Sequence, residues 1–155
     1  MLSKIQSVSV WGIEGQPVSV EVDISKGIPG ISIVGLPDQA VKESKDRIKP
    51  AIKNSGFDFP QSKITINLAP ADLKKEGSCF DLPVALGILA ARQVIPEDAT
   101  NRYHFIGELA LDGSLRPVHG VLPMAMCVKE KSSRFVVPSG NAAEASVVGI
   151  DVYPV

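Results

Sequence analysis

The sequence predicts an α+β fold, an α/β sandwich in which helices pack on a mixed β-sheet. Three observations carry that expectation. Apolar residues alternate with polar ones in the first third, later segments recur at steps of three and four, and the two patterns then interleave to the end of the chain. The composition agrees: 155 residues, 45% hydrophobic and 21% charged, with 13 glycines and 12 prolines, describe one globular domain over residues 1–155 with no room for a second.

The elements follow in order. Ile5, Val8 and Val10 lie in a β-prone run from Lys4 that ends at Trp11-Gly12. Glu14-Gly15-Gln16-Pro17 reads as a turn, and Val18, Val20 and Val22 then alternate with Ser19, Glu21 and Asp23, completing a hairpin. Beyond the breakers Lys26 to Gly30, the run Ile31-Ser32-Ile33-Val34 is apolar enough for an interior strand. Val41, Ser44, Ile48, Ala51, Ile52 and Ser55 share one helical face, stopped by Asn54-Ser55-Gly56. Pro50 removes one backbone donor there and is expected to bend this helix over Asp46 to Lys49. Lys63 to Leu68 alternates as a strand, Pro70 to Ser78 is a polar loop, and Leu82 to Ala91 is apolar nearly all round, a buried helix.

The last third repeats the alternation. Tyr103 to Leu109 is expected as a strand that returns through Asp112-Gly113 to Ser114–Val118. A helix over Val121–Lys131, a strand over Arg134–Val137, a helix over Asn141–Val147 capped by Asn141 or Ser139, and a strand over Ile150–Tyr153 complete the chain.

Charge and cysteine usage exclude several function classes. Sixteen Lys+Arg against seventeen Asp+Glu leave a net charge of −1, so no global basic field attracts nucleic acid, and any such contact must be local. No run approaches the roughly 20 apolar residues of a membrane span, and the opening Met1-Leu2-Ser3-Lys4 runs into an alternating strand, so a cytoplasmic protein without membrane contact is expected. Cys79 and Cys127 match neither a metal-ligand spacing nor a disulfide framework and are read as reduced.

Few residues offer chemistry. Ser78 sits on a glycine-containing loop ahead of a buried helix, where a nucleophile could rest on a rigid base, although a serine there more often caps the helix, here with Asp81 in the first turn. His104 and His119 are the only imidazoles and lack a zinc-site pattern, so no metal is expected; His104 reads as a structural strand residue and His119 as part of a turn. No Gly-x-x-x-x-Gly-Lys-Ser/Thr and no Gly-x-Gly-x-x-Gly is present, so no cradle for a nucleotide's phosphates is available in this stretch. Lys42, Lys45, Lys49 and Lys53 fall on one flank of the first helix and could track a phosphate backbone, although Glu43 and Asp46 beside them fit an ordinary solvated face. Lys74 and Lys75, read as solvated loop charges, extend that set of candidate DNA contacts.

Val34-Gly35-Leu36-Pro37-Asp38, Val41-Lys42-Glu43-Ser44, Lys53-Asn54-Ser55-Gly56-Phe57, the stretch from Ile66 to Ser78 and Phe80-Asp81-Leu82-Pro83 closely resemble the amino-terminal domain of the ComM/YifB family, magnesium-chelatase-related AAA+ ATPases of bacteria. The resemblance covers essentially the whole chain. It implies a fold similar to the proteolytic domain of Lon and to the second domain of the fifth small-subunit ribosomal protein. It also implies an ATPase module following this domain, with ATP and Mg2+ as that module's cofactors, and assembly into a homohexamer. Family members are associated with DNA branch migration during natural transformation, so the resemblance implies a role in DNA guidance or subunit assembly.

The same resemblance bears on the nucleophile. Lon-type proteases place a serine in Gly-Pro-Ser-Ala-Gly and a general-base lysine in Pro-x-Gly-Gly-Leu-Lys. Here the matching segments read Glu76-Gly77-Ser78-Cys79-Phe80 and Pro117-Val118-His119-Gly120-Val121-Leu122, with Leu122 in the lysine's place. Leucine accepts no proton, so a scaffold without peptidase chemistry is expected. The rival expectation is a serine hydrolase using Ser78 with a base from elsewhere, Lys74 or Lys75 being nearest in sequence.

Overall fold

A computed structural model describes residues 1–96 and 98–155. It has strands β1 (Leu2–Trp11), β2 (Glu14–Ser25), β3 (Gly30–Val34), β4 (Lys63–Ala69), β5 (Tyr103–Phe105), β6 (Glu108–Leu109), β7 (Leu115–Arg116), β8 (Arg134–Val137) and β9 (Val152–Pro154). The helices are α1 (Gln39–Lys42), α2 (Ser44–Asn54), α3 (Asp81–Ala91), α4 (Val121–Glu130) and α5 (Ala142–Ser146), the last preceded by a 3-10 turn at Ser139–Asn141. Seven strands form one mixed sheet in the order β3-β4-β2-β1-β5-β8-β9, and β6 and β7 make a separate two-stranded ribbon. The α+β sandwich read from the sequence is the observed architecture.

Alternation along β1 and β2 decides which helix covers which face. Val18, Val20 and Val22 are fully buried on one face, where Ser3 Oγ donates to Gly87 O at 2.6 Å and a Cβ on Gly87 would lie 2.6 Å from Val22 Cγ2. That face belongs to α3, with α2 packed beside it. Val10 and Gly15 point to the other face, and a Cβ on Gly15 would lie 2.3 Å from the Pro123 carbonyl oxygen. Only glycine lets α4 approach the hairpin that closely. Ser7, Val8 and Ser9, lying between both helix layers, are therefore buried in succession. Burial of this apolar surface is the main stabilising term, roughly 1.5–3 kcal/mol for each large aliphatic side chain.

The structure corrects several boundaries. The β1–β2 turn is Gly12-Ile13, and Glu14 to Pro17 continue the ladder opposite Val8 to Trp11. Pro17 is tolerated because β4 joins β2 only from Ser19 onward, leaving that edge without a ladder to break. β3 lies at the sheet's edge and not in its interior, with Gly30, Ser32 and Val34 exposed. The first helix breaks at Glu43, and Pro50 sits within an unbroken α2. Arg47 Nη2 donates to the Ala40 carbonyl at 3.2 Å, taking an acceptor that the break leaves without a helical partner. The expected strand Tyr103–Leu109 divides at Ile106-Gly107, where Gly107 has a φ of +158° and the chain leaves the main sheet for the ribbon.

Candidate functional site

A cleft of about 470 Å3 opens between the far end of the hairpin, the loop before α3 and the turn before α4. Gly12, Asp38, Glu76, Ser78, His119 and Met124 are among its lining residues. Ser78 reaches it from a loop that Asp38 organises: one carboxylate oxygen of Asp38 caps α1 by accepting from Val41 N at 2.7 Å, and the other accepts from Gly77 N at 3.1 Å. The backbone strengthens this junction, because Lys75 N donates to Leu36 O and Asp38 N donates to Lys75 O.

Ser78 does not cap α3. The residue in the cap position is Phe80, without a side-chain hydrogen bond, and the Ser78 hydroxyl donates to Glu108 Oε2 at 2.6 Å. The capping expectation fails because a turn separates Ser78 from the helix, with Asp81 N donating to Ser78 O at 3.4 Å, and the hydroxyl is directed to Glu108 of the β6–β7 ribbon. Asn141 occupies the cap position of α5 as expected but makes no side-chain cap hydrogen bond there; its carboxamide accepts from Val118 N and donates to Val118 O, pinning the turn that forms one wall of the cleft.

The ammonium groups expected near Ser78 are placed elsewhere. Lys74 is exposed and lies 3.5 Å from Glu76. Lys75 is not a solvated loop charge: it is wholly buried, and its Nζ donates to Gly35 O at 2.8 Å and to Pro70 O. Burial pushes its pKa down, partly offset by Asp72. The ammonium thus ties the β3–α1 loop to the loop after β4 and is withdrawn from any surface contact with DNA. Leu122 is exposed on α4, with its N–H donating to Glu144, and does not line the cleft. His119 shares the cleft with Ser78, a proximity that spacing could not show, but among the described residues no hydrogen bond joins them.

The surrounding groups are structural. Cys79, beside Ser78, is buried, and burial followed by the Asp81 charge pushes its thiol up to about 12, so it stays protonated at neutral pH. Both cysteines are free thiols. Asp81, missed as a functional partner in the sequence, is fully buried and accepts from Arg47 Nε (2.6 Å), Arg47 Nη2 (3.0 Å), Ser44 Oγ (2.5 Å) and Leu109 N (3.0 Å). This network joins α2, α3 and the ribbon behind Ser78. Its signal was present: Ser44 and Arg47 share a helical face with the apolar residues, where a charge needs a buried partner.

The basic flank remains on the surface. Lys45, Lys49 and Lys53 run along α2 and Lys42 ends α1, all four exposed. The Lys49 ammonium lies 5.7 Å from the centre of the Phe59 ring. Among the described residues no group of three His, Cys, Asp or Glu is placed to hold a metal ion. No helix is long and apolar enough to cross a membrane.

Comparison with known proteins adds what geometry alone does not give. The profile of the family described as subunit ChlI of Mg-chelatase matches residues 20–141. The chain belongs to the ChlI family of Mg-chelatase subunits. This ChlI-family chain is 44% identical over 147 residues, 95% of its length, to the competence protein ComM of Haemophilus influenzae and equally to the uncharacterized protein YifB of Escherichia coli. It is also 44% identical over 153 residues to an uncharacterized protein of Mycobacterium tuberculosis. It spans 29% of the length of the first two and 30% of the third. A more distant similarity, 26% over 110 residues, links 71% of the chain to 19% of Lon protease 2 of Bacillus subtilis, in keeping with the Lon-like fold expected from the sequence.

Proposed function

We propose that this ChlI-family chain acts as a non-catalytic domain of a ComM/YifB-type ATPase, contributing DNA guidance, subunit assembly or both to an ATP-driven branch-migration motor used in natural transformation. The observation that carries this reading is the 44% identity to the competence protein ComM over 95% of the chain. The placement of Ser78 supports the non-catalytic part: its hydroxyl is committed to a carboxylate, while the nearest lysines in sequence are paired on the surface or buried against carbonyls. ATP and Mg2+ belong, in this reading, to a motor module elsewhere in the full-length protein, since no loop of this chain carries the glycine-rich cradle that nucleotide phosphates need. The partners are that module and neighbouring subunits of a cytoplasmic homohexamer.

DNA guidance rests on the exposed row Lys42, Lys45, Lys49 and Lys53, to which Lys74 adds a fifth exposed cation. The test uses the full-length protein and its variant with alanine at 42, 45, 49 and 53. Forked-DNA affinity, measured at two salt concentrations, should fall, and the salt slope should drop by up to about four if all four lysines neutralise phosphates. Unchanged affinity and slope would restrict the domain to assembly. Sedimentation with and without the domain then decides that part: an oligomer unaffected by its deletion would remove the assembly role as well.

A further inference from the structure

We propose that the pocket between the loop before β5 and the α4–β8 turn is a binding site for a dianionic phosphoryl group. The pocket has a volume of about 460 Å3 and is lined by Arg102, His104, Lys131, Ser132, Ser133 and Arg134, together with the polar side chain of Asn101. Among the described residues no carboxylate lines it, and neither Arg102 nor Lys131 forms an ion pair.

One cation has a local explanation. Lys131 is the C-cap of α4, where positive charge is favoured by the helix carbonyls. Those carbonyls are already used, because Lys131, Ser132 and Ser133 donate their N–H groups to the oxygens of Cys127, Val128 and Lys129. Arg102 comes from a different segment and has no such reason to be there. Arg134, the register partner of Tyr103, carries its guanidinium over that ring, 5.6 Å from the ring centre and donating to the hydroxyl at 3.3 Å, on the sheet face opposite His104, so its charge does not belong to the pocket. Asp151 influences Arg134 from the β9 side, after Tyr103 and Tyr153.

The floor of the pocket gives the second, independent observation. His104 is only 7% exposed, and its Nδ1 pairs with Ser133 Oγ at 2.8 Å. Ser133 Oγ donates to the Arg102 carbonyl at 3.0 Å, so Nδ1–H is the donor to Ser133 and Nε2 presents a lone pair. Among the described residues Nε2 has no hydrogen-bond partner, yet it is not sealed from solvent. The groups acting on the imidazole are Ser133, hydrogen-bonded to Nδ1, and the Lys131 charge from the α4–β8 turn, with Gln6 its register partner on β1 and Arg102 on the rim of the pocket. Burial, then the Lys131 charge, holds the ring neutral. A phosphoryl dianion supplies what this arrangement lacks: negative charge for Arg102 and Lys131 and an acceptor for a proton taken up on Nε2. The reading does not depend on the proposed motor function, since it concerns a different face from the lysine row.

The test is an NMR titration of the 155-residue chain with inorganic phosphate at low ionic strength, following the His104 ring and the Ser133 and Arg102 amides. Saturable shifts confined to this pocket are expected, with the His104 pKa moving upward in the presence of phosphate. Arg102→Ala and Lys131→Ala, both at exposed side chains, should each weaken binding by about tenfold, as expected for loss of a charged hydrogen bond. Absence of saturable shifts, or unchanged binding in both variants, would overturn the proposal. Ten-residue oligothymidylates with a 5′-phosphate or a 5′-hydroxyl identify the source. Preference for the phosphorylated end supports a nucleic-acid terminus, whereas binding of phosphate without that preference supports a free phosphate compound. Equal binding of the 5′-hydroxyl strand with displacement of phosphate would overturn the dianion assignment in favour of a backbone diester.

Discussion

Arg47 and Asp81, 34 positions apart, meet through two hydrogen bonds of 2.6 and 3.0 Å, with the carboxylate completely buried and the guanidinium partly open to solvent. The pair fixes α2 against the start of α3, and the remaining lone pairs of Asp81 hold Ser44 and the backbone of Leu109. Removing Arg47 leaves a buried carboxylate with neutral donors only. Arg47→Ala should therefore cost about 3–5 kcal/mol in urea unfolding. A double-mutant cycle with Asp81→Asn should give a coupling above about 0.5 kcal/mol; additive losses would mean that the two side chains are energetically independent.

Adjacent lysines give opposite expectations. Lys75→Ala removes a buried side chain and leaves Gly35 O and Pro70 O without their donor, and should destabilise the domain by about 2–4 kcal/mol. Lys74→Ala, at an exposed pair, should change stability by no more than about 0.5 kcal/mol. Equal effects in chemical denaturation would contradict the placement of Lys75.

Stability should fall at both ends of the pH range. His104 in the folded chain holds its proton less tightly than the ordinary value of 6.5, because of burial and then Lys131. The unfolded chain therefore takes up more protons as pH drops below 6.5, and stability is lost in that direction. Cys79 shows the opposite sign: its thiol, raised from 9.0 to about 12, is protonated in the folded chain where the unfolded one ionises, so stability declines as pH rises from 9 toward 12. Thermal midpoints at pH 5.5, 7.5 and 10 check both limbs. His104→Gln should flatten the acidic limb and Cys79→Ala the alkaline one.

The Ser78–Glu108 hydrogen bond ties the loop before α3 to the ribbon, so Ser78→Ala should cost about 1–2 kcal/mol. Glu108→Gln, which keeps an acceptor, should cost less. Amide exchange of residues 76–79 measures the loosening locally, and no change in either variant would show that the bond does not hold the loop.

Periodic segments were legible in the sequence, and singular contacts were not. Val18, Val20 and Val22 placed β2, and Val41, Ile48 and Ile52 placed the buried face of the first helical region, because both patterns follow from burying one side of a regular element. The break at Glu43 escaped that reasoning, since it is compensated by Arg47 reaching back to Ala40 O. Lys75 and Ser78 were misread for one reason: a lysine in a polar loop and a serine before a helix have common local roles, and long-range partners at Gly35 and Glu108 displaced those roles. The proximity of His119 to Ser78 depends on how α4 packs over the hairpin at Gly15, which no spacing encodes.

The most direct measurement is fluorophosphonate labelling of the chain followed by peptide mapping at Ser78, with the Ser78→Ala variant as control. A hydroxyl committed to the Glu108 carboxylate, with no lysine lining its cleft among the described residues, should remain unlabelled at reagent concentrations that label an active serine hydrolase completely. Stoichiometric labelling at Ser78, abolished in Ser78→Ala, would show an activated nucleophile and contradict the reading of this domain as a non-catalytic frame.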